Sequence, residues 1–76
     1  MTEKQLENFR ANVRQLMAAE GISQRKLSED IRLDRSSISR MLSGERAPTL
    51  EFVLAVANRF NRKVDDLIKK SLLKGA

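Results

Sequence analysis

The 76-residue chain contains no cysteine and no histidine. Without cysteine there are no disulfides, no thiolate zinc sites and no thiol nucleophile; a reducing compartment fits that composition. Without histidine, the commonest zinc ligand and the usual general base are gone as well. Long apolar runs are also missing, and none approaches the roughly 20 residues of a membrane span. The opening Met1-Thr2-Glu3-Lys4-Gln5 has no basic stretch followed by an apolar one, so no secretory signal is expected. Loop-forming sequence is scarce: Glu45-Arg46-Ala47-Pro48 is the one loop-like stretch, in a chain with one proline and three glycines. Facing acid pairs are absent too. Glu29-Asp30 and Asp65-Asp66 are neighbours in sequence, and adjacent helical positions point about 100° apart. The expectation is therefore no enzyme, no metal, no cofactor and no small-molecule ligand.

Basic charge is present in excess. Fifteen Lys and Arg against ten Asp and Glu leave a net charge of +5, and the isoelectric point is near 10.3. Such a balance is one part of a nucleic-acid-binding footprint. With 41% apolar residues the chain can bury a core, and its length suits one domain over residues 1–76, with a core from about 6 to 70.

Apolar residues recur with helical period throughout. Leu6, Phe9, Val13 and Leu16 define the first helix, which Gly21 stops. Ser23 caps a second helix with Leu27 and Ile31 inward. Arg32-Leu33 forms the break, and Asp34 caps a third helix running to about Ser43, with Gly44 as its stop. Thr49 caps a fourth, whose apolar face is read as Leu50, Val53, Leu54, Ala57 and Phe60, with Asn61 in the left-handed stop position. A fifth, uncapped at Arg62-Lys63, carries Val64, Leu67 and Ile68 and extends as far as Leu72. The fold class is all-α, a compact five-helix domain.

The third helix is unusual. Ile38, Met41 and Leu42 form its buried side, while Arg35, Ser36, Ser39, Arg40 and Ser43 face out. Small hydroxyls and arginine on one short helix suit the major groove of DNA, where arginine can donate two hydrogen bonds to guanine. Serine is a mediocre helix former, so three within positions 36–39 are not a choice for helix stability. Against this stands a plain surface role, with the arginines paired to Glu29, Asp30 or Asp34. Ser37, next to the buried side, is read as scaffold.

Gly21, Ile22, Ser23-Gln24, Leu27, Leu33, Ile38, Gly44, Pro48, Leu50, Val53, Ala57, Phe60 and Leu67 share a joint spacing. By it the chain resembles the lambda-repressor-like helix-turn-helix group, which includes phage repressors, Cro proteins, restriction-modification controllers and some antitoxins. The resemblance spans about Phe9 to Leu67 and places the helix-turn-helix at helices 2 and 3. It implies a phosphate contact by Gln24, with Arg25 beside it. It implies base reading by Arg35, Ser36, Ser39 and Arg40. It also implies a backbone grip by Ser43, Arg46 and the amides near Thr49. Two positions depart from the family: Ser28 stands where Ala is common, and Arg32 where Gly or Asn is common in the turn. A left-handed Arg32 costs roughly 1 kcal/mol or more. Arg10 and Arg14 are left undecided between phosphate contact and solvation.

The resemblance implies a sequence-specific transcription regulator in a bacterial cytoplasm, associated with the nucleoid. It would bind double-stranded operator DNA as a homodimer, as a repressor of phage or Cro type. Activation stays open through an acidic Glu29-Asp30 patch touching polymerase, and the chain can equally be the DNA-binding part of a longer repressor. The alternative is a controller protein, or an antitoxin or antirepressor that covers a protein partner. The surface for such a partner, or for a dimer, is Phe52, Val56, Leu72 and Leu73, because Phe52 lies off the expected core stripe of helix 4. The competing possibility is that the segment with Leu72 and Leu73 folds back over Phe52.

Overall fold

The computed structural model describes residues 1–69. It contains five helices in chain order: α1 (Glu3–Glu20), α2 (Gln24–Ile31), α3 (Arg35–Ser43), α4 (Leu50–Arg59) and α5 (Val64–Ile68). No strand occurs among the described residues.

Each of the first four helices starts on a side-chain cap. Ser23, Asp34 and Thr49 accept the amides of Lys26, Ser37 and Phe52, which satisfies one otherwise orphaned donor per helix. Thr2 adds a full capping box on α1, accepting from the Gln5 amide at 3.1 Å while Gln5 Oε1 accepts from the Thr2 amide at 2.8 Å. That Thr-x-x-Gln pattern is a capping-box signature in the sequence itself. Lys63, at the start of α5, makes no side-chain cap bond.

The helix ends use left-handed backbone as expected. Gly21 stands at φ 67°, Gly44 at 93°, Asn61 at 55° and Arg32 at 60°. The Arg32 position is the strained one, because an arginine Cβ crowds the following carbonyl there. Its conformation lets the Leu33 amide reach the Ser28 carbonyl at 3.2 Å and close the turn between α2 and α3.

The core joins all five helices through Phe9, Val13, Leu27, Ile38, Met41, Leu42, Phe52, Val56 and Leu67, each at most 2% exposed. Phe9 and Phe52 meet edge to face, with ring centroids 5.7 Å apart and planes at 85°. This corrects the expectation for α4. Its buried residues are Phe52, Val53, Val56 and Ala57, whereas Leu50 is 73% and Leu54 51% exposed. Phe52 and Val56 are thus core residues and not a partner surface. The cause is visible in the sequence: Glu51 and Asn58, seven residues apart and so about 20° apart on the helix, mark the outer side beside Leu54, and Phe52, Val53, Val56 and Ala57 are turned away from them. That rotation buries Phe52 edge to face on Phe9 together with Val53 and Val56, and leaves Leu50 and Leu54 outside. Leu72 and Leu73 lie outside the described residues.

Two buried polar residues were not expected. Asn8 and Asn12 face inward on α1 and donate to the carbonyls of Ile68 at 3.0 Å and Leu67 at 2.8 Å. They satisfy carbonyls at the end of α5 and hold that five-residue helix, too short to persist alone, against α1.

Candidate nucleic-acid interface

The outer side of the α2–α3 pair is built from the inside out. Leu27 on α2 and Ile38 on α3 are both fully buried. Anchoring those two residues turns Arg35, Ser36, Ser39, Arg40 and Ser43 outward, and all five are exposed. Ser37, between the two sides, is half-buried; its amide donates to Asp34 Oδ2 at 3.0 Å.

The acids that could have absorbed the arginines are engaged elsewhere. Asp30 pairs with Arg59 at 2.9 Å and Lys26 at 3.2 Å. Glu29 pairs with Arg25 at 3.6 Å. Asp34 accepts from the Ser36 hydroxyl at 2.7 Å and the Ser37 amide. Arg35 therefore has no ion-pair partner among the described residues. Arg40 has a single contact with Glu45 at 4.0 Å, between two well-exposed side chains, which solvent screens to little net worth.

The serines differ in what they can offer. Ser36 spends its one hydroxyl proton on Asp34 and keeps lone pairs for accepting. Ser39 has no partner among the described residues, so its hydroxyl can donate or accept. Ser43 Oγ donates to the Arg40 carbonyl at 3.1 Å and accepts from the Glu45 amide at 3.3 Å.

Around this helix lie Gln24, half-buried at the start of α2, exposed Arg25 beside it, and exposed Arg46 in the loop before α4. The Thr49 amide turns inward, 3.4 Å from Met41 Sδ. Among the described residues, the amides without a partner at the α4 N-terminus are consequently those of Leu50 and Glu51.

A family model described as helix-turn-helix matches residues 13–67, well over half of the chain. The chain belongs to the lambda-repressor-like helix-turn-helix family. It is a DNA-binding transcription regulator. Comparison with curated proteins and with solved structures finds no significant match.

In this helix-turn-helix domain the α1–α2–α4 side carries an ion-pair junction. Arg59, near the end of α4, donates through Nε to Asp30 at 2.9 Å and through a terminal nitrogen to Glu20 at 3.1 Å, and its guanidinium lies 5.1 Å from the centre of the Phe60 ring. The Arg59 and Lys26 hydrogen bonds hold the Asp30 carboxyl below its ordinary value. Hydrogen bonds from Ser36 and Ser37 do the same for Asp34. Both groups remain anionic at neutral pH, Asp30 as a structural link and Asp34 as the cap of the helix-turn-helix motif's second helix.

Arg10 and Arg14 prove to be tied inward. Arg10 donates to the Met41 carbonyl at 2.8 Å and Arg14 to the Leu42 carbonyl. Nothing in the α1 periodicity distinguishes these arginines from solvated ones, because their acceptors lie about thirty residues away. No helix among the described residues is long and apolar enough to cross a membrane.

Proposed function

We propose that this regulator represses transcription by binding operator DNA as a homodimer, with α3 of each protomer in the major groove. The observation that carries the reading is the uncommitted outer row of α3. Arg35, Ser39 and a loosely held Arg40 stand on one exposed side of a helix whose other side is locked into the core. Arg35 and Arg40 have the reach and the planar fork to read guanine, and Ser36 and Ser39 are small enough to let the helix backbone approach base edges. Gln24, Arg25, Ser43, Arg46 and the Leu50 and Glu51 amides hold phosphates, which sets register without reading sequence.

One such helix covers few base pairs. A two-fold pair would cover half-sites about 34 Å apart. Occlusion of a promoter suits the molecule better than activation through Glu29-Asp30, because Asp30 is already held by Arg59 and Lys26. A protein-covering role has lost its proposed surface at Phe52 and Val56. The place of action is the nucleoid of a bacterial cytoplasm.

Selection from a random DNA pool should return a palindromic site. On that site Arg35→Ala and Arg40→Ala should each weaken binding by about 1–3 kcal/mol and relax one base position. Wild-type affinity for the selected site in the double variant, measured by gel-shift titration, would remove α3 as the reading element. A selected site without two-fold symmetry would remove the homodimer.

A further inference from the structure

The last four carbonyls of a helix have no partner within it. In α1 and α2 the following chain supplies donors: Gly21 and Ile22 donate to Ala18 and Met17, and Leu33 donates to Ser28. In α3 the donors come largely from another helix. The Arg40 carbonyl is reached by the Arg46 amide at 3.2 Å and by Ser43 Oγ. The Met41 carbonyl is reached by Arg10 Nε, and the Leu42 carbonyl by Arg14, one turn further along α1. A terminal nitrogen of Arg10 also reaches the Arg46 carbonyl at 3.5 Å. A Cβ placed on Gly44 would lie 3.9 Å from Arg10 Cζ, so the guanidinium sits directly under the α3–α4 loop.

The geometry points to Arg10 as a positioning residue for DNA recognition. Its fork spans the end of the reading helix, at Met41, and the loop carrying Arg46, and sets one against the other. A cation at the negative end of the α3 dipole adds to the hold. Arg14 supports the same end through a single carbonyl. Arg10 therefore affects specificity without contacting DNA. This inference rests on α3 being the reading helix, although the clamp itself can be tested without DNA.

The test uses the full chain with Arg10→Gln and Arg10→Lys; the lysine keeps the charge and loses the fork. Amide hydrogen exchange is read at Glu45 and Arg46, with the core amides of α1 and α4 as reference. Exchange at the two loop amides should rise about tenfold in Arg10→Gln and less in Arg10→Lys, against an unchanged core. On DNA, the ratio of specific to non-specific affinity should fall about tenfold in Arg10→Gln, as expected for losing a charge-assisted hydrogen bond. The salt dependence should stay at its wild-type slope. Unchanged exchange at Glu45 and Arg46 in both variants would overturn the clamp. A slope reduced by about 0.9 per protomer would also overturn it, because it would make Arg10 a phosphate contact. A wild-type protein without sequence preference would instead overturn the operator reading, and the exchange data would still decide the clamp.

Discussion

Arg32 and Phe52 show how single side chains set the balance in so small a domain. Arg32 holds a backbone conformation that glycine adopts without strain, at φ 60°. Arg32→Gly should raise stability by about 0.5–1 kcal/mol, with released strain exceeding the added freedom of the unfolded chain. In a domain of this size that is a rise of several degrees in Tm, about 4–8 °C per kcal/mol; a lower Tm would mean the position is not strained. Phe52 is fully buried on Phe9, whereas Leu54, two residues on, is half-exposed. Phe52→Ala should cost about 3–5 kcal/mol in urea unfolding, whereas Leu54→Ala should cost far less, since a surface site leaves no cavity. Equal losses at the two sites would contradict the rotation of α4 described above.

At the scale of the element, one carboxyl at a helix start and one near a helix end carry the pH response. Asp34 caps α3 and Asp30 ties α2 to α4, and both carboxyls sit below the ordinary value of 3.8. A carboxyl depressed by folding contributes stability that is complete above its unfolded pKa and disappears as pH falls through its folded one. The wild-type melting midpoint should therefore drop as pH is lowered from about 5 to about 2. Asp34→Asn keeps an oxygen for the Ser37 amide but cannot ionise, so its midpoint should fall less steeply over that window. Parallel curves for the two proteins would show that Asp34 contributes nothing to the acid transition. The Ser36 hydroxyl and the Ser37 amide both donate to the same oxygen, Oδ2, which asparagine retains, so base preference should stay that of the wild type.

Across the whole molecule, the arginines divide into those tied to protein groups and those without an ion-pair partner among the described residues. Arg10 and Arg14 are held at the end of α3, and Arg59 is held by Glu20 and Asp30. Arg35 and Arg46, on the α3 side, have no ion-pair partner among the described residues. With a net charge of +5, binding should weaken steeply as salt rises. For a homodimer, Arg46→Ala should reduce the magnitude of the log–log salt slope by about 2, one per protomer, with base preference unchanged. A slope equal to wild type would place Arg46 away from the phosphates.

Helix number and order, and the breaks from α1 to α4, were legible in the chain because they depend on neighbours; the expected extension of the fifth helix to Leu72 was not, since α5 ends at Ile68 within the described residues. Ser23, Asp34 and Thr49 cap the residues that follow them, Gly21 and Gly44 end helices within one turn, and Leu27 and Ile38 mark buried sides by spacing. The outward row on α3 follows from the same local periodicity. The tertiary structure decided whatever depends on residues distant in sequence. Phe9 selected Phe52 rather than Leu54 for the core, and the ends of α5 and α3 gave Asn12 and Arg10 their acceptors, 55 and 31 residues away. Asp30 and Glu20 likewise claimed Arg59. A side chain's local sequence says that it can donate or be buried; only packing says what it meets.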